Sequence, residues 1–206
     1  MASAEPTPAR VVDLLLDRAP TLGAARLLCV DGPSGSGKTT LAAQAVDEVR
    51  RRGRSVATVH MDDLYDGWGG LRGSGAVLHQ QVLAPLAEGR PGAYRRYDWH
   101  RGAYAEEHPV PVLDVLVVEG VGAWRTGHAD LVTVLVWVEA PSVVRLERAV
   151  RRDGAHLEPQ LLTWRHEEGR LHADEATRDR ADLVVDGHSQ PSWALGHSST
   201  SSGEPT

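Results

Sequence analysis

The chain contains no phenylalanine, no isoleucine and no asparagine. Lysine is almost missing as well: of 22 lysine plus arginine residues only Lys38 is a lysine, and the other 21 are arginines. Residues with AT-rich codons are drained, which points to a GC-rich bacterial genome. Surface lysine drifts to arginine at little cost, so a surviving lysine marks a place that wants a compact ammonium rather than a planar fork. One cysteine, Cys29, excludes an internal disulfide and a cysteine-rich zinc site, and makes a reducing, cytoplasmic setting the expectation. The ten histidines show no HExxH or paired spacing. Apolar runs such as residues 132–138 are too short to span a bilayer, and the start lacks the basic-then-apolar order of a signal peptide. No membrane association is expected. A net charge of −6 argues against nucleic acid as the main partner.

What is present suits one soluble domain of 206 residues, 41% hydrophobic and 24% charged. Residues 1–9 and 188–206 are rich in small and turn-forming residues and are expected to be disordered, leaving a domain over 10–187. Helices are expected over 10–19, 38–52, 74–88, 142–152 and 159–173, from apolar spacing and glycine stops. Strands are expected over 26–30, 55–60, 115–118, 132–138 and 182–185, with 89–112 irregular. Strands alternating with helices imply about five parallel strands covered on both faces. The ligand site then belongs at the strands' carboxyl ends.

Between the first strand and the second helix stands Gly32-Pro33-Ser34-Gly35-Ser36-Gly37-Lys38-Thr39, the G-x-x-x-x-G-K-[ST] phosphate loop in its required context. Its glycines let backbone N–H groups turn inward as an anion nest, and the helix start adds its dipole. Residues 32–39 with Thr40 are the candidate ATP site, Lys38 reaching the β- and γ-phosphates and Thr39 taking Mg²⁺. A GTP switch is disfavoured, since its guanine-reading N-K-x-D needs an asparagine and a second lysine. Two readings remain: a small-molecule kinase, or a P-loop ATP-binding regulator without a metabolite acceptor.

His60-Met61-Asp62-Asp63-Leu64-Tyr65 follows the second strand. One of its paired acids can accept or orient an acceptor hydroxyl proton, or the pair is a solvated cap or turn. Tyr97-Asp98-Trp99-His100-Arg101 is an aromatic segment suited to stacking on a flat ring. Val117-Val118-Glu119-Gly120 brings an acid to the end of an apolar strand. Arg145, Arg148 and Arg152 fall on one helical face, where they could clamp a phosphoryl group or form a solvated basic face.

These segments, with Arg180 to Gly187, resemble the uridine kinase-like family of P-loop kinases, which includes phosphoribulokinase and one type of pantothenate kinase. The resemblance runs from about residue 26 to residue 187. It implies an α/β P-loop three-layer sandwich with a short lid, and transfer of the γ-phosphate of ATP to a hydroxyl of a nucleoside-like acceptor, uridine or cytidine first. It makes Asp62 the catalytic carboxylate with Lys38, Arg148 and Arg152. Asp62, Tyr65, Tyr97, Asp98, Trp99 and Arg101 become substrate residues, and Thr39, Asp62 and Glu119 the Mg²⁺ ligands. His100 and Arg101 come earlier than the family's His and Arg. The family's N-F-D-H-P segment is replaced by Asp66-Gly67-Trp68-Gly69-Gly70-Leu71-Arg72, where Trp68 could stack on a base or plug the core. The resemblance says nothing of oligomeric state.

Overall fold

The computed structural model describes residues 7–188. The expected disordered ends lie outside these, except for residues 7–9 and 188. Pro8 and Ala9 belong to helix α1 (Pro8–Asp17), because Thr7 caps it: its hydroxyl accepts from Arg10 N and Pro8 starts the first turn.

Five parallel strands form the sheet, in the order β2 (Val56–His60), β5 (Val115–Glu119), β1 (Arg26–Asp31), β6 (Val134–Glu139), β7 (Leu183–Asp186). Side chains alternate between two cores, as the period of a strand requires. Leu27 and Cys29 of β1, Leu116 and Val118 of β5 and Leu135 of β6 face one core. Leu28 and Val30, Val115 and Val117, and Val134, Val136 and Val138 face the other, with α1 and α2 (Lys38–Arg51) packed on them. Burial of both strand faces is why these strands read as unbroken apolar runs. Helix α2 contributes Leu41, Ala42, Ala45, Val46 and Val49, a stripe at helical spacing.

On the other face, helix α3 (Leu71–Leu78) runs through a π-helical stretch (His79–Leu83) into α4 (Ala84–Ala87). Helix α6 (Glu158–Glu175) also covers this face, through Trp164 and Leu171. The expected lid between α5 (Ser142–Asp153) and α6 is a tight link, Gly154 followed by one 3-10 turn, Ala155–Leu157.

Residues 89–112 are not irregular. They form an antiparallel pair, β3 (Gly92–Asp98) and β4 (Ala103–Val110), apart from the main sheet. A register shift between Arg95 and Tyr97 breaks the alternation. That break hides the strand from a period-2 reading, although Tyr94 and Val110 carry it into the core.

Candidate active site

Parallel register sets the ends of β2, β5 and β1 side by side, with β6 next to β1. Val30 pairs with Glu119, His60 pairs with Glu119, and Asp31 pairs with Trp137. The phosphate loop leaves β1 at this edge and returns as α2, with Gly37 at the helix cap. Gly35 has φ +77°, and a Cβ there would run into the Arg145 carbonyl oxygen. Gly32 has φ +142°, and a Cβ there would run into the carbonyl of Val138. Glycine at these two places serves both the positive φ and the close packing.

The loop's amides are divided. Gly32 N donates to Asp31 Oδ1 at 2.6 Å, Ser34 N to Glu168 Oε2 at 2.9 Å and Ser36 N to the Pro33 carbonyl at 3.2 Å. Pro33 has no N–H. Within the candidate ATP site of residues 32–40, these four positions therefore offer no free amide. Gly35, Gly37 and the first-turn amides of α2 at Lys38, Thr39 and Thr40 are the donors that remain, since helix starts leave their N–H groups without intrahelical partners. Lys38 Nζ donates to the Pro33 carbonyl at 3.1 Å, so the ammonium lies over the loop.

Thr39 Oγ1 reaches both Glu119 oxygens, at 3.2 and 3.3 Å. Glu119 is buried, and His60 Nδ1 sits 2.6 Å from its Oε1. The Glu119 contact, with Asp63 and Asp62 beyond, raises the His60 pKa against partial burial. Sequence reasoning did not single out His60; the parallel pairing that sets it beside Glu119 has no local signal.

Asp62 stands in a 3-10 turn, Met61–Asp63, that continues β2. It is open to solvent, yet surrounding protein desolvates it enough to raise its pKa, as on the floor of a concave site. Glu119 and Asp63 push the same way, while Lys38 and Arg152 oppose. Asp62, Lys38, Glu119 and Arg152 therefore share one electrostatic neighbourhood.

The two arginines paired in the sequence reading part company. Arg148 Nη1 donates to the Gly35 carbonyl at 3.2 Å and the Gly187 carbonyl at 3.0 Å. It buttresses the outside of the loop rather than meeting Asp62. Bonds from a charged donor contribute about 1.5–3 kcal/mol each, so Arg148 is not readily freed. Among the described residues Arg152 grips its neighbour Asp153, at 2.7 and 2.8 Å, with its side chain 61% exposed. An exposed pair of this kind contributes about 0–1 kcal/mol, so Arg152 can turn to a ligand.

The expected substrate residues also divide. Tyr65 is 1% exposed, packs on Trp164 and donates its hydroxyl to the Val121 carbonyl at 2.8 Å. Asp98 Oδ1 accepts from His100 N and Arg101 N, at 3.0 and 3.1 Å, closing the β3–β4 turn. The Tyr65 hydroxyl and Asp98 Oδ1 are thus engaged within the protein, while Asp98 Oδ2 lies 3.7 Å from Arg96 Nη2. Arg101 is exposed at the tip of that turn. Tyr97 is 8% exposed and meets Trp99 and Tyr104 edge to face. Trp99 Nε1 donates to the Asp62 carbonyl at 3.0 Å. Trp99 and Trp68 meet at 5.3 Å, and both stay more than a third exposed. Together they form an aromatic ledge beside Asp62.

Fold and loop define a P-loop nucleotide-binding architecture of the three-layer α/β type. The chain superposes on a possible uridine kinase from Bacillus stearothermophilus with a TM-score of 0.63 and 21% identity, over 87% of this chain and 97% of that one. A fructose transport system kinase assignment from Silicibacter sp. TM1040 gives 0.61 and 23% identity, over 86% and 98%. D-glycerate 3-kinase from Cryptococcus neoformans var. grubii gives 0.52 and 17%, over 83% and 87%. At these identities the likeness is one of fold. In sequence, 73 residues are 37% identical to dephospho-CoA kinase of Bacteroides fragilis, 35% of this chain and 34% of that protein. The match thus spans about a third of the curated relative's length. No family model matches the chain.

Proposed function

We propose that this chain is an ATP- and Mg²⁺-dependent kinase that transfers the γ-phosphate to a hydroxyl of a nucleoside-like small molecule, with uridine and cytidine the first candidates. The observation that carries this reading is the electrostatic convergence of Asp62 with Lys38, Glu119 and Arg152. A regulator that only binds nucleotide has no need of a carboxylate placed to receive a proton beside the phosphate-binding lysine.

Lys38 and the free amides would hold the phosphates. Asp62 would take the proton of the attacking hydroxyl, its raised pKa bringing it nearer to working pH. Arg152 would swing from Asp153 to the phosphoryl group as negative charge builds there. The donor set of Thr39, Glu119 and Asp62 is all oxygen, which fits a hard cation that keeps several waters. Among the described residues no group of three or more His, Cys, Asp and Glu side chains could hold a metal ion. Magnesium takes few protein carboxylates and completes its shell with waters and phosphate oxygens. Bound there, it would neutralise charge on the β- and γ-oxygens, while His60 keeps Glu119 oriented.

The test is ADP release with a panel of nucleosides, pantothenate, sugar phosphates and dephospho-CoA, the last because of the partial relative. Stimulation by a nucleoside supports the reading. Stimulation only by another class moves the acceptor, and no stimulation with intact Mg²⁺-ATP binding makes the chain a nucleotide-binding regulator.

A further inference from the structure

Trp164, Glu168 and His172 of α6 are spaced by four residues and so share one face of the helix. Two of them meet Ser34 of the phosphate loop and the third meets Asp31, the last residue of β1. Trp164 Nε1 donates to Ser34 Oγ at 3.0 Å, Glu168 Oε2 accepts from Ser34 N at 2.9 Å, and His172 Nε2 lies 3.1 Å from Asp31 Oδ1. Arg145 of α5 adds a bond to Glu168 Oε1 at 3.2 Å and one to the Ser34 carbonyl at 3.4 Å. Every polar group of Ser34 is thus held by α5 or α6. Glu168 is 2% exposed. Burying a carboxylate is costly unless partners offset the loss of water, and here the partners are Arg145 and a loop amide.

Left to itself, a glycine-rich loop turns its successive amides toward one anion. Glu168 draws the Ser34 amide the other way. Asp31 does the same for Gly32, and its carboxyl is itself anchored by the amides of Gly122 and Trp124, at 2.9 and 3.0 Å.

We propose that Glu168 is a positioning residue for the phosphate loop: by holding the Ser34 amide outside the nest, it fixes the curvature of residues 34–37 before nucleotide arrives. This rests on the nucleotide-binding part of the reading above, not on the identity of the acceptor. The width of the nest is then set by a distant helix as well as by the loop's own glycines.

The experiment measures Mg²⁺-ADP affinity by calorimetry, with melting curves, for wild type, Glu168→Ala and Glu168→Gln. Alanine should weaken binding about tenfold, the scale of losing a hydrogen bond to a charged group. Glutamine can still accept from Ser34 N through its amide oxygen, and should stay within about threefold of wild type. Both variants lose the ion pair with Arg145, so a role limited to stability would lower melting in both and leave affinity unranked. Equal weakening by the two, or wild-type affinity in the alanine variant, overturns the proposal. Should alanine fail to fold, Glu168→Asp takes its place: its shorter reach should weaken binding, and wild-type affinity there overturns the proposal equally. Wild-type protein that binds no Mg²⁺-ADP sinks the nucleotide reading and the proposal together. Failure to find an acceptor touches neither the measurement nor its ranking.

Discussion

Residues 31–39 and residues 62–72 border the same site, but they are held in different ways. In the first stretch the front half, residues 31–35, is held from several sides. Asp31 is met by three amides and His172, Ser34 by two helices, and Gly35 by Arg148. In the second, taken with the Trp99 that packs on it from the β3–β4 turn, Gly67, Gly69 and Gly70 surround Trp68, which is 39% exposed, and the Trp99 indole donates to a backbone carbonyl. The physical task explains the contrast. A triphosphate offers the same oxygens every time, so backbone donors can be fixed in advance. An acceptor is recognised by the shape and faces of its ring or chain, and side-chain surfaces supply those.

The largest effect should come where the two stretches meet. Asp62→Asn removes the proton acceptor with little change of volume. Transfer should fall about 10²- to 10⁴-fold, with Mg²⁺-ATP affinity kept. Turnover at wild-type rate would falsify a catalytic role for Asp62. Next comes the rigid stretch itself. Gly35→Ala puts a side chain at φ +77° against the Arg145 carbonyl. Strain of about 1–3 kcal/mol should appear as nucleotide affinity weakened about 5- to 150-fold, read by calorimetry. An alanine variant with unchanged affinity would mean that the loop can relax, and the contrast between the stretches would lose its basis.

How far each stretch could be read from sequence follows the same divide. The phosphate loop is local: eight consecutive residues specify strand, turn and helix, and the five-stranded sheet follows from apolar runs buried on both faces. The partners of the loop are not local. Glu168 lies 134 residues from Ser34, and His172 lies 141 from Asp31. Nothing in α6 alone marks these residues as different from other polar positions. Tyr65 and Asp98 are hard to place from sequence for a related reason. An aromatic or acid beside a functional segment can equally fill a core or close a turn, and only the partners of its polar atoms decide. The hairpin was hidden by its register shift, and His60 by a pairing across strands.

The aromatic ledge offers a smaller effect, confined to the second stretch. Trp68→Ala and Trp99→Ala each remove one face of the pair. With whichever acceptor the panel identifies, acceptor KM should rise about 2- to 10-fold, the scale of one aromatic contact, while ATP KM stays as in wild type. Trp99 carries an added risk, since its N–H bond to the Asp62 carbonyl is also lost. A fall in kcat with Trp99→Ala but not with Trp68→Ala would separate positioning of Asp62 from acceptor binding. A rise in ATP KM with either would show the two stretches to be coupled rather than independent.

The smallest effect is electrostatic and sharpens the boundary between them. Burial is the main reason that the Asp62 pKa is raised, with Glu119 and then Asp63 adding like-charge repulsion against Lys38 and Arg152. The proposed reaction uses Asp62 as the carboxylate. Activity is therefore present above its raised pKa and lost as pH falls through it, at a higher pH than an ordinary aspartate would give. Asp63→Asn removes one of the charges that push the pKa up, so the acid limb of kcat/KM should move to lower pH. Tyr94, whose hydroxyl donates to Asp63 Oδ2 at 3.2 Å, can still donate to the asparagine carbonyl, which keeps the turn in place. A limb that stays put would mean that Asp63 is screened from Asp62. A limb that moves up would run against the charge argument and would remove Asp62 from the proton step.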